Sequence, residues 1–297
     1  EMCIRDRGKT VDLWVPAHSE YVIEGKISPT DFEPQPPFGE ATGYMAIGVE
    51  SQLCPIMEVT AVTHRRRPIF QTIISQMPPS ESSKLREVAF GSVYTRHLRD
   101  NCNLPNVKRV VFSESGGSSR QYCVIQLRKV KPTDSWQALT SAAGYTAEIG
   151  KIFVAVDEDI DPSDPDSVNW ALSFRMQPHR DIQILRGRVA PLDPSTAPLG
   201  LEGAETFRES SAILIDATMK WRYPPVSLPK KEFMERALEI WKETGLPELR
   251  LKMPWYGYNL GYWSEEHERY AQMTLAGKHY EVGKELEKRR VKAEISK

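Results

Sequence analysis

One carboxylate of this chain lies on a turn that leaves it little conformational freedom. Glu40 falls within residues 36–44, which read PPFGEATGY. Proline presets φ and glycine permits positive φ, so we expect a tight turn that holds the glutamate in one place. A carboxyl group held in this way suits general acid catalysis, in which it delivers a proton to a reacting atom. A turn carboxylate that only faces water is the alternative on these residues alone.

A lysine in the second half of the chain follows a predicted strand. Residues 212–215 form an apolar run, and Asp216, Thr218 and Lys220 come directly after it. A lysine just past a strand end can meet a phosphate group as a flexible point charge. A solvated surface lysine is the alternative.

Carboxylates also cluster after a third apolar run. Residues 157–162 read DEDIDP and follow the predicted strand over 151–156. Acidic side chains at a strand end can hold a metal ion. The same letters, with Ser163 and Asp164 after them, also fit turn and helix-capping chemistry.

The elements that must position these groups begin with a β-rich part. Short runs over residues 21–23, 57–64 and 68–74 are separated by proline and glycine turns. This pattern is typical of the remnant of a β-barrel. Ser80 then predicts a helix start, and helical spacing over residues 83–99 follows it. The apolar positions of that helix are Leu85, Val88, Ala89, Val93 and Leu98.

Strands and helices alternate farther along the chain. Apolar runs over residues 107–112, 122–127 and 151–156 enclose a helix-like segment over 136–148. Such alternation predicts a layered α/β domain with at least some parallel pairing. Charged helices are expected over residues 230–243 and 264–292, on either side of an aromatic segment.

Composition restricts the class of protein only loosely. The 297 residues are 40% hydrophobic with a net charge of -1, enough for a sizeable core in more than one domain. Near-neutral charge offers no electrostatic case for binding nucleic acid or an anionic membrane. No apolar run is long enough to span a bilayer, so no integral membrane segment is expected. The four cysteines include no CxxC pair, which favours free thiols in the cytoplasm over disulfides or a zinc site.

Three ordered blocks of sequence carry a family resemblance. The first is VPAHSEYVIEG at 15–25 followed by PPFGEATGY, the second is VDEDID at 156–161 with RMQPHRD at 175–181, and the third is DATMK at 216–220. Together they resemble the UbiD family of prenylated-flavin-dependent decarboxylases. That family carries a Val-Pro-Ala-x-x-Glu strand and then a Glu-Gly-Pro-Phe-Gly-Glu-x-x-Gly-Tyr turn.

The resemblance implies reversible non-oxidative decarboxylation of an aromatic or α,β-unsaturated carboxylic acid. No side chain can accept the electrons left when CO2 departs from an sp2 carbon, so prenylated FMN is the implied cofactor. The family match makes Glu40 the proton donor and Lys220 a contact to the flavin phosphate. It assigns the acidic cluster to the structure of the domain and its subunit contacts.

One position departs from the family pattern. Gln35 and Pro36 stand where family members usually carry Glu and Gly, and that second Glu pairs with an upstream arginine. An amide can hydrogen-bond an arginine but cannot neutralise it or accept a proton. We expect altered substrate choice, altered proton handling or partial loss of activity.

The resemblance also implies a divalent metal, Mn²⁺, that bridges the flavin phosphate to the protein. The family's ligands for it are an Asn, a His and a Glu upstream of the segment seen in this chain. The six histidines show no paired spacing for a metal. We therefore expect no metal ligands in this chain, and no binding of flavin and metal by the chain alone.

Four segments are expected from these patterns. Residues 1–10 lack the features of a signal peptide and are expected to be a scar or sequencing artefact on a truncated reading frame. Residues 11–78 are expected to be the end of a flavin-reductase-like split β-barrel that carries the catalytic and cofactor site. Residues 79–225 are expected to form an α/β oligomerisation domain, and residues 226–297 a helical tail.

Partners follow from the same resemblance. A flavin prenyltransferase would supply the cofactor, and the chain would form a homodimer or hexamer. Two other functions stay open at this point. One is a non-catalytic assembly subunit of a multi-subunit carboxylase, and the other is a flavin-binding oxidoreductase, although no GxGxxG fingerprint is present.

Overall fold

The computed structural model describes residues 5–46, 53–116, 120–189, 193–196, 209–249 and 261–292. The fold is mixed α/β, with one larger sheet and three small two-stranded sheets. None of the helices within these ranges is both long enough and apolar enough to cross a membrane.

Three antiparallel ribbons form the first part of the chain. Strand β1 (Arg5–Arg7) pairs with β2 (Trp14–Pro16), the long β3 (Tyr21–Pro34) pairs with β6 (Leu53–His64), and β4 (Phe38–Gly39) pairs with β5 (Met45–Ala46). The strands predicted near residues 21–23 and 57–64 are therefore present. Closure of these ribbons into a split β-barrel stays a prediction.

Glu24 on β3 connects this ribbon to the start of the chain. Its buried carboxylate accepts hydrogen bonds from the backbone N–H groups of Lys9, Thr10 and Val11 at 2.7–3.2 Å. Hydrogen bonds from backbone N–H groups offset the cost of burying a carboxylate in this way. Strand β1 lies within residues 1–10. That these residues are a scar or sequencing artefact stays a prediction.

The prediction of a strand over residues 68–74 is wrong. This segment has no regular secondary structure, and Ile69 and Phe70 are each 72% exposed. β-branched and aromatic residues favour a strand only where a neighbouring strand and a half-buried surface receive them. Within the described part of the chain, this segment has no partner strand.

Helix α1 (Glu81–Arg96) confirms the predicted start, because Ser80 is its N-cap in a capping box with Ser83. Of the five predicted apolar positions, Leu98 just after the helix is completely buried, whereas Leu85, Val88, Ala89 and Val93 are exposed. The helix instead packs through its small and aromatic face. A Cβ at Gly91 would lie 2.8 Å from the carbonyl oxygen of Val110, so glycine permits close contact with the neighbouring strand.

The larger sheet has five strands in the order β10, β11, β9, β8, β7. Its strands are β7 (Val107–Phe112), β8 (Tyr122–Leu127), β9 (Ile152–Asp157), β10 (Ile182–Val189) and β11 (Glu209–Ala217). The central pairs β8 with β9 and β9 with β11 are parallel, and both edge strands are antiparallel. The predicted layered α/β domain with parallel pairing is confirmed.

Helices cover both faces of this sheet. Alternate residues of β9 enter different clusters, since Phe153 packs with α2 (Asp134–Gly144) and Val154 packs with α3 (Pro165–Arg175). This alternation follows from the period of two in a strand. Helices bury both faces of these strands, so polar side chains gather at the edge of the sheet where the carboxyl ends of the parallel strands meet. We call this edge the polar edge.

Four further helices lie outside these two layers, within the described residues. The short α4 (Pro178–Asp181) precedes β10, and α5 (Lys231–Glu243) confirms the predicted helix over 230–243. The helix predicted over 264–292 is two helices, α6 (Glu265–Leu275) and α7 (His279–Glu287). Gly277 has φ of 74° between them, a conformation that ends a helix. Most of the aromatic segment, residues 253–260, lies outside the described residues.

Candidate functional site

Glu40 occupies the turn between β4 and β5. Its backbone N–H donates to the carbonyl of Tyr44 at 2.9 Å, and the N–H of Gly43 donates to the Glu40 carbonyl at 3.0 Å. The side chain is half-buried, and its Oε2 lies 3.2 Å from the N–H of Ala41. The turn therefore holds both the backbone and the carboxylate of Glu40, as the proline and glycine pattern predicts.

Two glycines bring this hairpin onto the segment before α1. A Cβ at Gly39 would lie 2.9 Å from the carbonyl oxygen of Ser75, and one at Gly43 would lie 2.6 Å from Sδ of Met77. Gly43 also has φ of 97°, a region that L side chains rarely adopt. The position of Glu40 therefore depends on both glycines.

Gln35 lies directly after β3 and is half-buried. Its Oε1 accepts a contact of 3.5 Å from the thiol of Cys54 on β6. A thiol is a weak donor, so this contact leaves the amide free to take a stronger partner. The arginine that the family pattern pairs with this position is not among the contacts of Gln35 in the described part of the chain.

Lys220 lies at the polar edge of the larger sheet, just beyond β11. Its Nζ donates to the carbonyl oxygens of Asp216 at 2.7 Å and Thr218 at 2.8 Å. It also lies 3.2 Å from Oδ1 of Asp216 and 3.6 Å from Oδ1 of Asp181. Burial lowers the pKa of this lysine from its ordinary value, and the two carboxylates oppose that shift.

Asp216 is the centre of this polar cluster. Ser135 on α2 donates to Oδ2 at 2.7 Å, Thr218 donates to Oδ1 at 2.6 Å, and Nζ of Lys129 lies 3.6 Å from Oδ2. Burial alone would raise the pKa of Asp216. The hydrogen bonds and the two lysines outweigh burial, so its pKa lies below the ordinary value.

The acidic cluster after β9 pairs with a buried arginine. Arg175 donates to Asp157 at 2.8 Å and binds both oxygens of Asp159 at 2.7 and 2.6 Å. Asp161 pairs at 3.0 Å with Arg109 on the edge strand β7. These contacts agree with a structural role, and no group of three or more His, Cys, Asp or Glu in the described ranges is arranged to hold a metal.

A cleft of about 530 Å³ opens beside this cluster. Trp136 and Trp221 line it together with charged residues of both signs, which are the cations Lys129, Lys131, Arg180 and Lys220 and the carboxylates Asp157, Asp181 and Asp216. Arg180 forms an ion pair with Asp181 at 2.9 Å and lies over the Trp221 ring. Lys129 and Lys220 already pair with Asp216, so an anionic ligand in this cleft would share these cations with a carboxylate.

The structure places the predicted site residues in two different parts of the fold. Gln35 and Glu40 belong to the ribbons, and Lys220 belongs to the edge of the five-stranded sheet. Within the described residues no hydrogen bond or ion pair joins Glu40 to Lys220.

Sequence reasoning did not single out Lys129, although a signal for it existed. Lys129 follows β8 by two residues, as Lys220 follows β11 by three. The carboxyl ends of parallel strands meet at one edge, so two lysines after two such strands are expected to lie close together.

Comparison with known proteins identifies the family whose domains match this chain. Residues 6–78 match the Rift-related domain of 3-octaprenyl-4-hydroxybenzoate carboxy-lyase, and residues 91–217 match the C-terminal domain of the same family. An uncharacterised Synechocystis protein, sll0936, is 32% identical over 253 residues, which are 82% of this chain and 47% of the relative. An uncharacterised Aquifex aeolicus protein is 30% identical over 249 residues, 81% of this chain and 48% of that relative.

Solved structures show the same likeness. The UbiD-class enzyme HmfF from Pelotomaculum thermopropionicum, in an evolved dimeric form with prFMN, has 34% identity and a TM-score of 0.56 over 76% of this chain and 46% of its own. Vanillic acid decarboxylase from Sedimentibacter hydroxybenzoicus has 25% identity and a TM-score of 0.58 over 80% and 50%.

The chain spans about half the length of the curated relatives that it matches. Both matched domains come from one family and follow each other in order along the chain. The chain belongs to the UbiD family of carboxy-lyases.

Proposed function

We propose that this protein takes part in the reversible non-oxidative decarboxylation of an aromatic or α,β-unsaturated carboxylic acid, with prenylated FMN as the cofactor. The observation that carries the proposal is the hairpin that holds Glu40, within the segment that matches the family. HmfF structures contain prFMN or FMN, and a second relative is a decarboxylase of vanillic acid, an aromatic acid.

Glu40 is the proposed proton donor. When bound, prenylated FMN supplies the electron sink that side chains lack. Glu40 then delivers the proton that takes the place of CO2 on the substrate carbon. The hydrogen bonds of the turn and the contacts at Gly39 and Gly43 keep the carboxyl group in one orientation. This preorganisation lowers the entropic cost of reaching the reactive geometry.

Lys220 is the proposed contact to the flavin phosphate. Lys129, Lys131 and Arg180 line the cleft beside it and offer cations to an anion, in competition with the carboxylates Asp181 and Asp216 of the same cleft. Lys220 donates to the carbonyls of its own loop, so binding a phosphate would replace at least one of these hydrogen bonds.

The remaining parts of the proposal come from the family resemblance. They are Mn²⁺ with ligands outside this chain, a flavin prenyltransferase as cofactor supplier, and a homodimer or hexamer in the cytoplasm. The split β-barrel is proposed as the architecture that the three ribbons belong to. Gln35 is proposed to tune the substrate range or proton handling.

The test joins this chain to the half of the HmfF chain that it does not match. The chimaera is produced with a flavin prenyltransferase, and deuterium incorporation from D2O is followed across a panel of aromatic and acrylic acids. We expect exchange on at least one acid, and we expect Glu40→Gln to abolish it while flavin absorbance is retained.

Glu33→Gln is the matched control, because Glu33 is an exposed glutamate on the neighbouring strand. It should retain exchange. Full exchange in Glu40→Gln would remove Glu40 from the mechanism. A flavin-loaded chimaera without any exchange would favour the assembly-subunit alternative.

A further inference from the structure

A cysteine and a histidine face each other where helix α1 ends. The helix continues into a π-helical turn over His97–Asn101, and Cys102 follows directly. Sγ of Cys102 lies 3.2 Å from Nε2 of His97. A thiol within hydrogen-bond reach of an imidazole is the arrangement that activates a cysteine as a nucleophile.

Neighbouring groups hold this pair in place. The N–H of Cys102 donates to the carbonyl of His97 at 3.1 Å. The imidazole packs on the Tyr145 ring with 4.2 Å between centroids. A nucleophile and a base are therefore in contact, and π-helical turns often occur at functional sites.

The chain supplies two thiols for comparison. Cys54 is half-buried, as Cys102 is, but within the described residues its thiol contacts the Gln35 amide and no imidazole. Cys123 is completely buried, and burial raises the pKa of its thiol far above the ordinary value. Access and an imidazole partner coincide at Cys102 alone among the cysteines that the structure describes.

We propose that Cys102 is a thiol-modification site that reacts with low-molecular-weight disulfides, with His97 as its base. This site is separate from the decarboxylation proposed above and does not rest on it. It uses only His97 of the π-helical turn, Cys102 after it and Tyr145.

The reaction is a thiol–disulfide exchange that needs no other oxidant. Nε2 of His97 takes the proton from the Cys102 thiol, and the thiolate attacks one sulfur of the disulfide. A bond forms between Cys102 and that sulfur while the original S–S bond breaks. The departing thiolate takes up the proton from His97, so the products are a mixed disulfide on Cys102 and one free thiol.

The first test uses the whole 297-residue chain and glutathione disulfide at neutral pH. Site-resolved mass spectrometry follows each cysteine separately, including Cys3, which lies outside the described residues. We expect Cys102 to form the mixed disulfide about tenfold faster than Cys54, and Cys123 to stay protected. Equal or slower reaction of Cys102 than of Cys54 would overturn the proposal, and this comparison needs no variant.

The second test replaces the base. We expect His97→Gln to slow the reaction of Cys102 about tenfold and to leave the rate at Cys54 unchanged. Protection of Cys123 shows that the variant is folded, and His97→Asn serves in its place if it is not. An unchanged rate at Cys102 in a folded His97 variant would refute the role of His97 and, with it, the proposal.

Discussion

The ammonium group of Lys220 contacts both the backbone carbonyl and the side-chain carboxylate of Asp216. Nζ lies 2.7 Å from the carbonyl oxygen and 3.2 Å from Oδ1 of the same aspartate. The side chain of Asp216 is 2% exposed and that of Lys220 is 11% exposed. Removing one member of such a pair leaves a buried charge without its partner, which costs more than the pair itself contributes.

This contact predicts strong coupling in a double-mutant cycle. Lys220→Met should lower the free energy of unfolding by about 1–3 kcal/mol, because Asp216 loses a cation. Adding Asp216→Asn should recover part of that loss, with a coupling energy of about 0.5–3 kcal/mol. Urea unfolding measures each variant. Lys131→Met, at an exposed lysine of the same cleft, should change stability by less than about 0.5 kcal/mol. Additive effects of the two substitutions would show that the pair is not coupled.

A second prediction concerns the hairpin that carries Glu40. Gly43→Ala should destabilise the hairpin by about 1–2 kcal/mol, because φ of 97° is unfavourable for an L side chain and Met77 occupies the space of the new Cβ. Faster amide hydrogen exchange at Glu40 and Gly43 would report this loss. Gly283→Ala is the control, since that glycine lies in α7 with open space around it. Unchanged exchange at Glu40 would mean that the turn tolerates a side chain.

A third prediction concerns pH. Burial raises the pKa of Asp157 to about 6 from an ordinary 3.8. The like charge of Asp159 also raises this pKa, whereas the contacts with Arg175 and the Met219 N–H lower it. The folded chain therefore holds this proton more tightly than the unfolded chain. The resulting stabilisation is complete below pH 3.8 and is lost as the pH rises through 6.

The variant Asp157→Asn removes this titration. Relative to the unsubstituted chain, its free energy of unfolding should rise by about 1–3 kcal/mol between pH 4 and pH 8. Asp181→Asn should show no such rise over this interval, because the pKa of Asp181 lies below 3.8 and the stabilisation that its ionised form gives the unsubstituted chain is lost only at still lower pH. Burial would raise the pKa of Asp181, but Arg180, the backbone N–H of Gln177 and Lys220 outweigh burial and hold it below the ordinary value. Urea midpoints at pH 4 and pH 8 test this, and an equal rise for both variants would contradict it.

A fourth prediction tests the start of α1. Ser80→Ala should lower stability by about 1 kcal/mol, because the Ser80 hydroxyl accepts from the Ser83 N–H and the Ser83 hydroxyl accepts from the Ser80 N–H. Ser92→Ala, on the exposed side of the same helix, should have little effect. Thermal unfolding compares the two, and equal effects would argue against a capping role.

Local rules were enough for several elements of this fold. The Ser80 cap, the strands β7, β8 and β9 and the helix α5 were all predicted, because caps, strand runs and helix periods are encoded by neighbouring residues. The turn around Glu40 was predicted for the same reason, since proline and glycine act on their own backbone. Motif spacing also identified the family.

Other features required the assembled chain. Helix α1 buries Gly91 and Tyr94 instead of its leucine and valine face, because close contact with β7 selects the face with the smallest residue. The segment over 68–74 has strand composition without a partner strand. In both cases the deciding factor is a surface far away in the sequence.

The sequence alone determined the type and order of the groups that could do chemistry, from Glu40 to Lys220. The tertiary structure decided their surroundings, because burial, partners and pKa depend on which strand ends meet at one edge. It placed Lys129, Ser135 and Thr218 around Asp216, and it brought Cys102 within reach of His97. Neither arrangement follows from propensity, since both need contacts that exist only after the helices pack on the sheet.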